Sequence, residues 1–138
     1  MIEINLKLNN NIFNFIKLYL HYNIMKGVHF IIDFNNLEFD FLNNLDKLKL
    51  IMEKVIKKSK VSIISKKFHK FKPQGLTGFY LLSESHLSFH TWPELGSISI
   101  DFYTCGDSHL ADNAINNLIT NLEKRSKNPK YKIRKLRR

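Results

Sequence analysis

Four β-forming runs follow one another between Val61 and Cys105 with only turns between them, and this series constrains the chain more than any other feature. VSIISKKFHKF (61–71) stops at Pro73 and Gly75, and LTGFYLL (76–82) follows at once. HLSFHTW (86–92) then leads through a turn at Pro93–Gly96 into SISIDFYTC (97–105), a hairpin pattern. Connections this short join antiparallel neighbours, because a parallel crossover needs a dozen residues or more. GVHFIIDF (27–34), equally rich in β-formers, predicts a strand ahead of them. Phe41, Leu45, Leu48, Met52, Val55 and Ile56 recur at helical spacing and predict an amphipathic helix from about Asp40 to Ser59. Leu110, Ala114, Ile115, Leu118, Ile119 and Leu122 predict a second helix, N-capped by Asp107 and ended by Asn128–Pro129. YKIRKLR (131–137) alternates like a final edge strand, where lysines discourage further pairing. The order β-α-β-β-β-β-α-β predicts an α+β two-layer sandwich, a largely antiparallel sheet with two main helices packed on one face.

With 138 residues the chain fits one folded domain, 27–138, preceded by an Asn-rich and then aromatic extension, 1–26. The apolar segment from Ile12 to Ile24 is too short and too interrupted to span a bilayer, and it lacks the flanks of a signal peptide. A single cysteine, Cys105, excludes an intramolecular disulfide and fits a cytoplasmic protein. The formal charge of +10 is concentrated from Lys124 to Arg138, a stretch without an acid. No zinc-finger spacing, RNP signature or helix-turn-helix accompanies it, which favours a solvated basic strand and tail over a nucleic-acid partner.

The reactive side chains crowd between Gln74 and Asp107: Glu84, Ser85, His86, His90, Glu94 and Cys105. Singly, each has an ordinary reading; a buried cysteine is usually core filling. His86 and His90, four apart, would suit zinc on a helix, but their segment reads as strand, so no metal is expected. Centring the hairpin turn on Leu95 places Cys105 opposite Ser85 and His90 opposite Ile100. Antiparallel partners lie about 5 Å apart, so Ser85 and Cys105 would share one small site.

ESHLSFHTWPE followed by DFYTCGD is similar to the signature of the prokaryotic S-adenosylmethionine decarboxylase family. FHKFKPQGLTG resembles that family's preceding strand and glycine turn, and GVHFIIDF its first strand. The resemblance runs in order from about Gly27 to Glu123. It implies self-cleavage between Glu84 and Ser85 into an N-terminal β chain and a C-terminal α chain, with Ser85 becoming a covalent pyruvoyl cofactor that binds substrate as a Schiff base. Such processing demands a strained, water-poor turn with donors aimed at the developing oxyanion. By resemblance His90 transfers the processing proton, supported by Thr77, which stands where relatives often carry serine. Cys105 matches the proton donor of turnover. Glu94 matches the acceptor for the ribose hydroxyls and Phe71 an aromatic that stacks on adenine. Trp92 reads as a structural anchor of the hairpin, while His29 and Asp33 lie near where the family builds its pocket without an assigned role.

The implied reaction is decarboxylation of S-adenosylmethionine for spermidine biosynthesis, in a homodimer with sites near the subunit interface. A sulfonium substrate would not be drawn in by a +10 protein, so steering is not the purpose of that charge. Two alternatives stand beside this reading. One is a pyruvoyl enzyme for ornithine or arginine, against which Glu94 and Phe71 argue. The other is an unprocessed homologue acting as a binding partner.

Overall fold

Strand side chains alternate between two faces, so the apolar members of each run choose the buried side of the sheet. The computed structural model describes residues 27–138; the N-terminal extension, 1–26, lies outside the described residues. The elements run β1 (Val28–Asn35), α1 (Phe39–Leu42), α2 (Leu45–Lys58), β2 (Ile63–Lys70), β3 (Leu76–Leu82), β4 (Ser85–Trp92), β5 (Ser97–Thr104), α3 (Ser108–Glu123) and β6 (Lys130–Arg137). All six strands form one sheet in the order β2-β3-β4-β5-β1-β6, and every pairing is antiparallel. Val28, Phe30, Ile32 and Phe34 of β1 join Leu87, Phe89, Ile98, Ile100 and Phe102 in one core with Leu48, Met52, Ala114 and Leu118 of the helices. This is the α+β sandwich the order of elements implies. Its opposite face carries no helix among the described residues. None of the described helices is long and apolar enough to cross a membrane.

The basic strand behaves as its sequence predicts. β6 is an edge strand, exposed along its whole length, and Lys135 reaches back to Asp112 at 2.6 Å. Asp107 caps α3, accepting from the backbone N–H groups of His109 and Leu110.

Two expectations are corrected. The helix drawn from Asp40 to Ser59 is broken at Asn43–Asn44, leaving α1 as a separate short turn. Asn44 accepts from Lys47 N–H at 3.0 Å and caps α2, a competition with the backbone that short amide side chains win at helix starts. The second correction is a one-residue change of register. Trp92 pairs with Ser97 across a four-residue connection made of a 3-10 turn, Pro93–Leu95, and Gly96 in the left-handed conformation at φ 61°. The turn is therefore centred between Glu94 and Leu95. Ser85 pairs with Thr104 and His90 with Ser99, so Cys105 lies level with Glu84 instead of Ser85. In a sheet a shift of one residue changes the face on which a side chain lies.

Gly78 is the tightest point of this packing. A Cβ there would collide with the Phe89 ring and come within 2.8 Å of Phe68. Gly78→Ala is expected to lower unfolding free energy by about 1–3 kcal/mol, the usual effect of overpacking. Denaturant midpoints measure it, and an unchanged midpoint would contradict the contact.

Candidate active site

β3 and β4 are joined by a turn of only two residues, Ser83 and Glu84, with Leu82 paired to Ser85. The Glu84–Ser85 bond thus sits at the tip of a hairpin. Ser85 follows the core-facing alternation of β4, opposite buried Thr104, and its Oγ is buried without a hydrogen-bond partner. The Glu84 carbonyl accepts from the backbone N–H of Cys105 at 3.2 Å. Its carboxylate lies against Gly106, where a Cβ would sit 2.5 Å from Oε2. Only Asn36 and Lys60 take positive φ among the described non-glycine residues, so neither Ser83 nor Glu84 lies in the left-handed region. An unpartnered hydroxyl beside a polarised carbonyl is what this turn offers.

Cys105 is exposed, and its Sγ donates to Tyr103 Oη at 3.4 Å. Tyr103 pairs with His29 and His86, all three on the open face of the sheet. The thiol and the Ser85 hydroxyl therefore stand one register step apart across the hairpin and point to opposite faces. The one-residue register is the reason.

The remaining expected residues gather at the other end of β4. A cleft of about 260 Å³ is lined by Phe71, Gln74, His90, Trp92 and Glu94 among others. Thr77 and His90 face each other across β3 and β4, with Thr77 Oγ1 2.7 Å from His90 Nδ1 and 3.2 Å from the Phe89 carbonyl. All three atoms are satisfied when Thr77 donates to the carbonyl and accepts from Nδ1–H. That tautomer leaves Nε2 as the free base. Gln74 Nε2 donates to Glu94 Oε2 at 3.4 Å, so Glu94 is held at the rim. Thr91, buried behind the cleft, donates to the Leu42 carbonyl and accepts from Leu76 N–H, tying this end to α1 and β3.

His90 lies five residue steps along β4 from Ser85, about 17 Å on an extended strand. One chain thus presents two separate groups. Glu84, Ser85 and Cys105 stand at one end, and Phe71, Thr77, His90 and Glu94 at the other. Trp92, read from sequence as a structural anchor, is 40% exposed and walls the cleft beside His90. Gln74 and Tyr103 escaped the sequence reading. Strict alternation was the available signal, since Trp92 shares its face with His90, and Tyr103 its side of the strand with Cys105.

At the Ser85 end, on the open face beside Tyr103, lie His29, bonded to Asp101 at 3.1 Å, and His86, stacked on Phe79. Asp33, the other unassigned residue of β1, accepts from Ser99 at 2.6 Å. Burial, and then the neighbouring His29, pushes the His86 imidazole below its usual value; Arg138 acts the same way and Asp101 opposes. A base depressed by folding contributes stability above its unfolded pKa of about 6.5 and loses it as pH falls through the folded value. Relative to His86→Gln, the parent protein is expected to lose more thermal stability between pH 7.5 and 5. An equal loss in both would contradict this.

The S-adenosylmethionine decarboxylase family profile matches residues 28–138. The chain is 41% identical over 97 residues to the S-adenosylmethionine decarboxylase proenzyme of Thermoplasma volcanium, covering 70% of this chain and 75% of that one. It is 38% identical over 96 residues to the proenzyme of Aquifex aeolicus, covering 70% and 71%. The crystal structure of the Aquifex aeolicus adenosylmethionine decarboxylase superposes with a TM-score of 0.68 at 33% identity, over 79% of this chain and 88% of that chain. An antiparallel sandwich with a serine at a hairpin tip places the chain in the class of these proenzymes. It belongs to the S-adenosylmethionine decarboxylase family.

Proposed function

We propose that this chain is a self-processing, pyruvoyl-dependent decarboxylase of S-adenosylmethionine that serves spermidine biosynthesis. The observation that carries the reading is the Glu84–Ser85 turn: a buried, unpartnered Ser85 Oγ beside a carbonyl polarised by the Cys105 N–H. Ser85 Oγ attacks the Glu84 carbonyl, and the C–N bond breaks as the amide becomes an ester and the Ser85 amine is freed. The Cys105 N–H stabilises the oxyanion, the interaction that contributes most in such steps. Elimination releases the Glu84 carboxylate, and water then replaces the nitrogen, which leaves as ammonia. The residues fit a pyruvoyl group at position 85, which when formed supplies an electron-accepting carbonyl for loss of carbon dioxide from an amino acid.

The chain's own residues bind and move protons. His90 Nε2, left free by the tautomer that Thr77 selects, relays the processing proton. Cys105 Sγ holds the proton delivered to the α-carbon. Glu94 accepts from the ribose hydroxyls while Phe71, 48% exposed at the cleft, stacks on adenine.

A second copy completes the site. The cleft of one chain is smaller than the ~300–1,000 Å³ of ordinary ligand pockets, and its His90 stands a strand's length from its own Ser85. The open sheet face exposes Phe79 (43%), Leu81 (43%) and Leu136 (47%), apolar surface suited to burial against an equivalent face. A two-fold pairing of these faces brings the Ser85 end of one protomer to the His90 end of its partner. Each protomer of this homodimer comprises two processed chains. The enzyme works in the cytoplasm.

Mass spectrometry of the purified protein, with carbon dioxide release from candidate substrates, tests the reading. Two fragments divided at Glu84–Ser85, the second blocked by pyruvate, and release from S-adenosylmethionine are expected. Release from ornithine or arginine alone would replace the substrate, and an intact inactive chain would overturn the enzyme reading.

A further inference from the structure

Cys105 has one hydrogen bond through its sulfur among the described residues, and its partner is a side chain with no role in the reading above. Tyr103 and Cys105 are two positions apart, so strand alternation carries both to the open side of β5. The tyrosine ring is held from several directions. The rings of His29 and His86 lie 5.9 Å from it, and the Arg138 guanidinium stands 5.2 Å above its face. Gly27 approaches so closely that a Cβ would lie 2.5 Å from the ring and its hydroxyl. Packing on these sides restricts the partly buried ring and presents its phenolic oxygen to Sγ.

We propose that Tyr103 is a positioning residue for Cys105, holding the thiol before proton transfer and stabilising the sulfur after the proton has gone. This rests on Cys105 being the proton donor of turnover. A donor that gives up its proton must survive as a thiolate, and here the thiolate would stand on a partly exposed face. A hydroxyl suits the change because it turns: it accepts from S–H beforehand and donates to S⁻ afterwards. The bond to the charged form is the stronger of the two, so the hydroxyl that aims the thiol also holds the sulfur once the proton has gone. The hydrogen bond with Cys105, and then burial, raises the Tyr103 phenol above its ordinary value, so it keeps its proton at neutral pH. The charged and titratable groups facing the pair are His29, with Asp101 behind it, His86 and Arg138.

The test is Tyr103→Phe, which keeps the ring and removes the hydroxyl, made in the parent chain and in Ser85→Ala, which forms no pyruvoyl group. Alkylation of Cys105 by iodoacetamide is followed by mass spectrometry from pH 6 to 9. We expect roughly fivefold slower alkylation near neutral pH in both backgrounds, the effect of one lost hydrogen bond to the thiolate. The difference should narrow as pH rises and both thiols ionise. In the parent background splitting is retained, kcat falls about fivefold and KM changes less than twofold. Arg138→Ala, which loosens the ring and keeps the hydroxyl, should give a smaller slowing and stands in should Tyr103→Phe fail to fold. Unchanged alkylation would overturn the proposal. So would a slowing that is constant with pH, because that indicates altered access. Slower alkylation in a protein that releases carbon dioxide from no amino acid would keep the contact and overturn the catalytic reading it serves.

Discussion

Ser85→Ala is expected to remain one intact species of 16.3 kDa, with no fragment detectable and no turnover. The effect is complete because two functions share one residue. Ser85 Oγ is the nucleophile of the cut and leaves with the Glu84 carboxylate, and the Ser85 Cα left behind becomes the cofactor carbonyl. The substitution should not disturb the fold, since the Oγ has no hydrogen bond to lose and its neighbours Leu82 and Thr104 stay buried. Circular dichroism and thermal midpoints close to the parent's would establish that. His90→Ala is also expected to stay unsplit. Co-expression of the two variants then distinguishes a site within one chain from a site shared by two. A mixed dimer pairs the intact Ser85 of the His90→Ala chain with the intact His90 of the Ser85→Ala chain. Splitting of the His90→Ala chain alone is expected. Its failure in isolated mixed dimers would mean that His90 serves its own chain, against the separation of about 17 Å along β4.

Cys105→Ala should split normally and turn over about 10²-fold more slowly, or worse, the range set by loss of a general acid. The two outcomes divide because the residue contributes two different groups. Its backbone N–H, unaffected by the substitution, donates to the Glu84 carbonyl and supports the cut. Its thiol is exposed on the open face and faces away from Ser85 Oγ, so the cut does not need it. Fragment mass reports the first function and carbon dioxide release the second. Full turnover in Cys105→Ala would remove the proton-donor role. Loss of splitting would mean that the side chain itself supports the turn.

Much of the fold was legible because its signals are local. The apolar stripes of α2 and α3, the alternation of β4 and β5, and the cap at Asp107 each depend on a few neighbouring residues. Asn44 was legible in principle, since an amide ahead of an apolar stripe is a helix start, yet the stripe running through it from Phe41 to Leu48 hid the break. The proposed chemistry was reached by a different route. Ser85, His90, Glu94 and Cys105 occur at spacings that resemble one family, and that resemblance does not depend on knowing the register. Gln74 and Tyr103 were not found, and Trp92 was read only as an anchor, because a side chain's place in a cleft depends on which face it takes and what comes across from another strand.

The amino-acid sequence by itself determined most of the elements and their antiparallel order, because periodicity and short turns leave few other arrangements; the bond proposed to break was named by the family resemblance alone. The tertiary structure alone decided how Ser85, Cys105 and His90 stand to one another. A four-residue turn ending in left-handed Gly96 placed the pairing one residue away from the expected register. That single step put the hydroxyl on the core side and the thiol on the open side. It brought the Cys105 N–H, rather than its sulfur, to the Glu84 carbonyl. Register is a property of two strands meeting, and with a side-chain period of two the smallest error in it exchanges inside for outside.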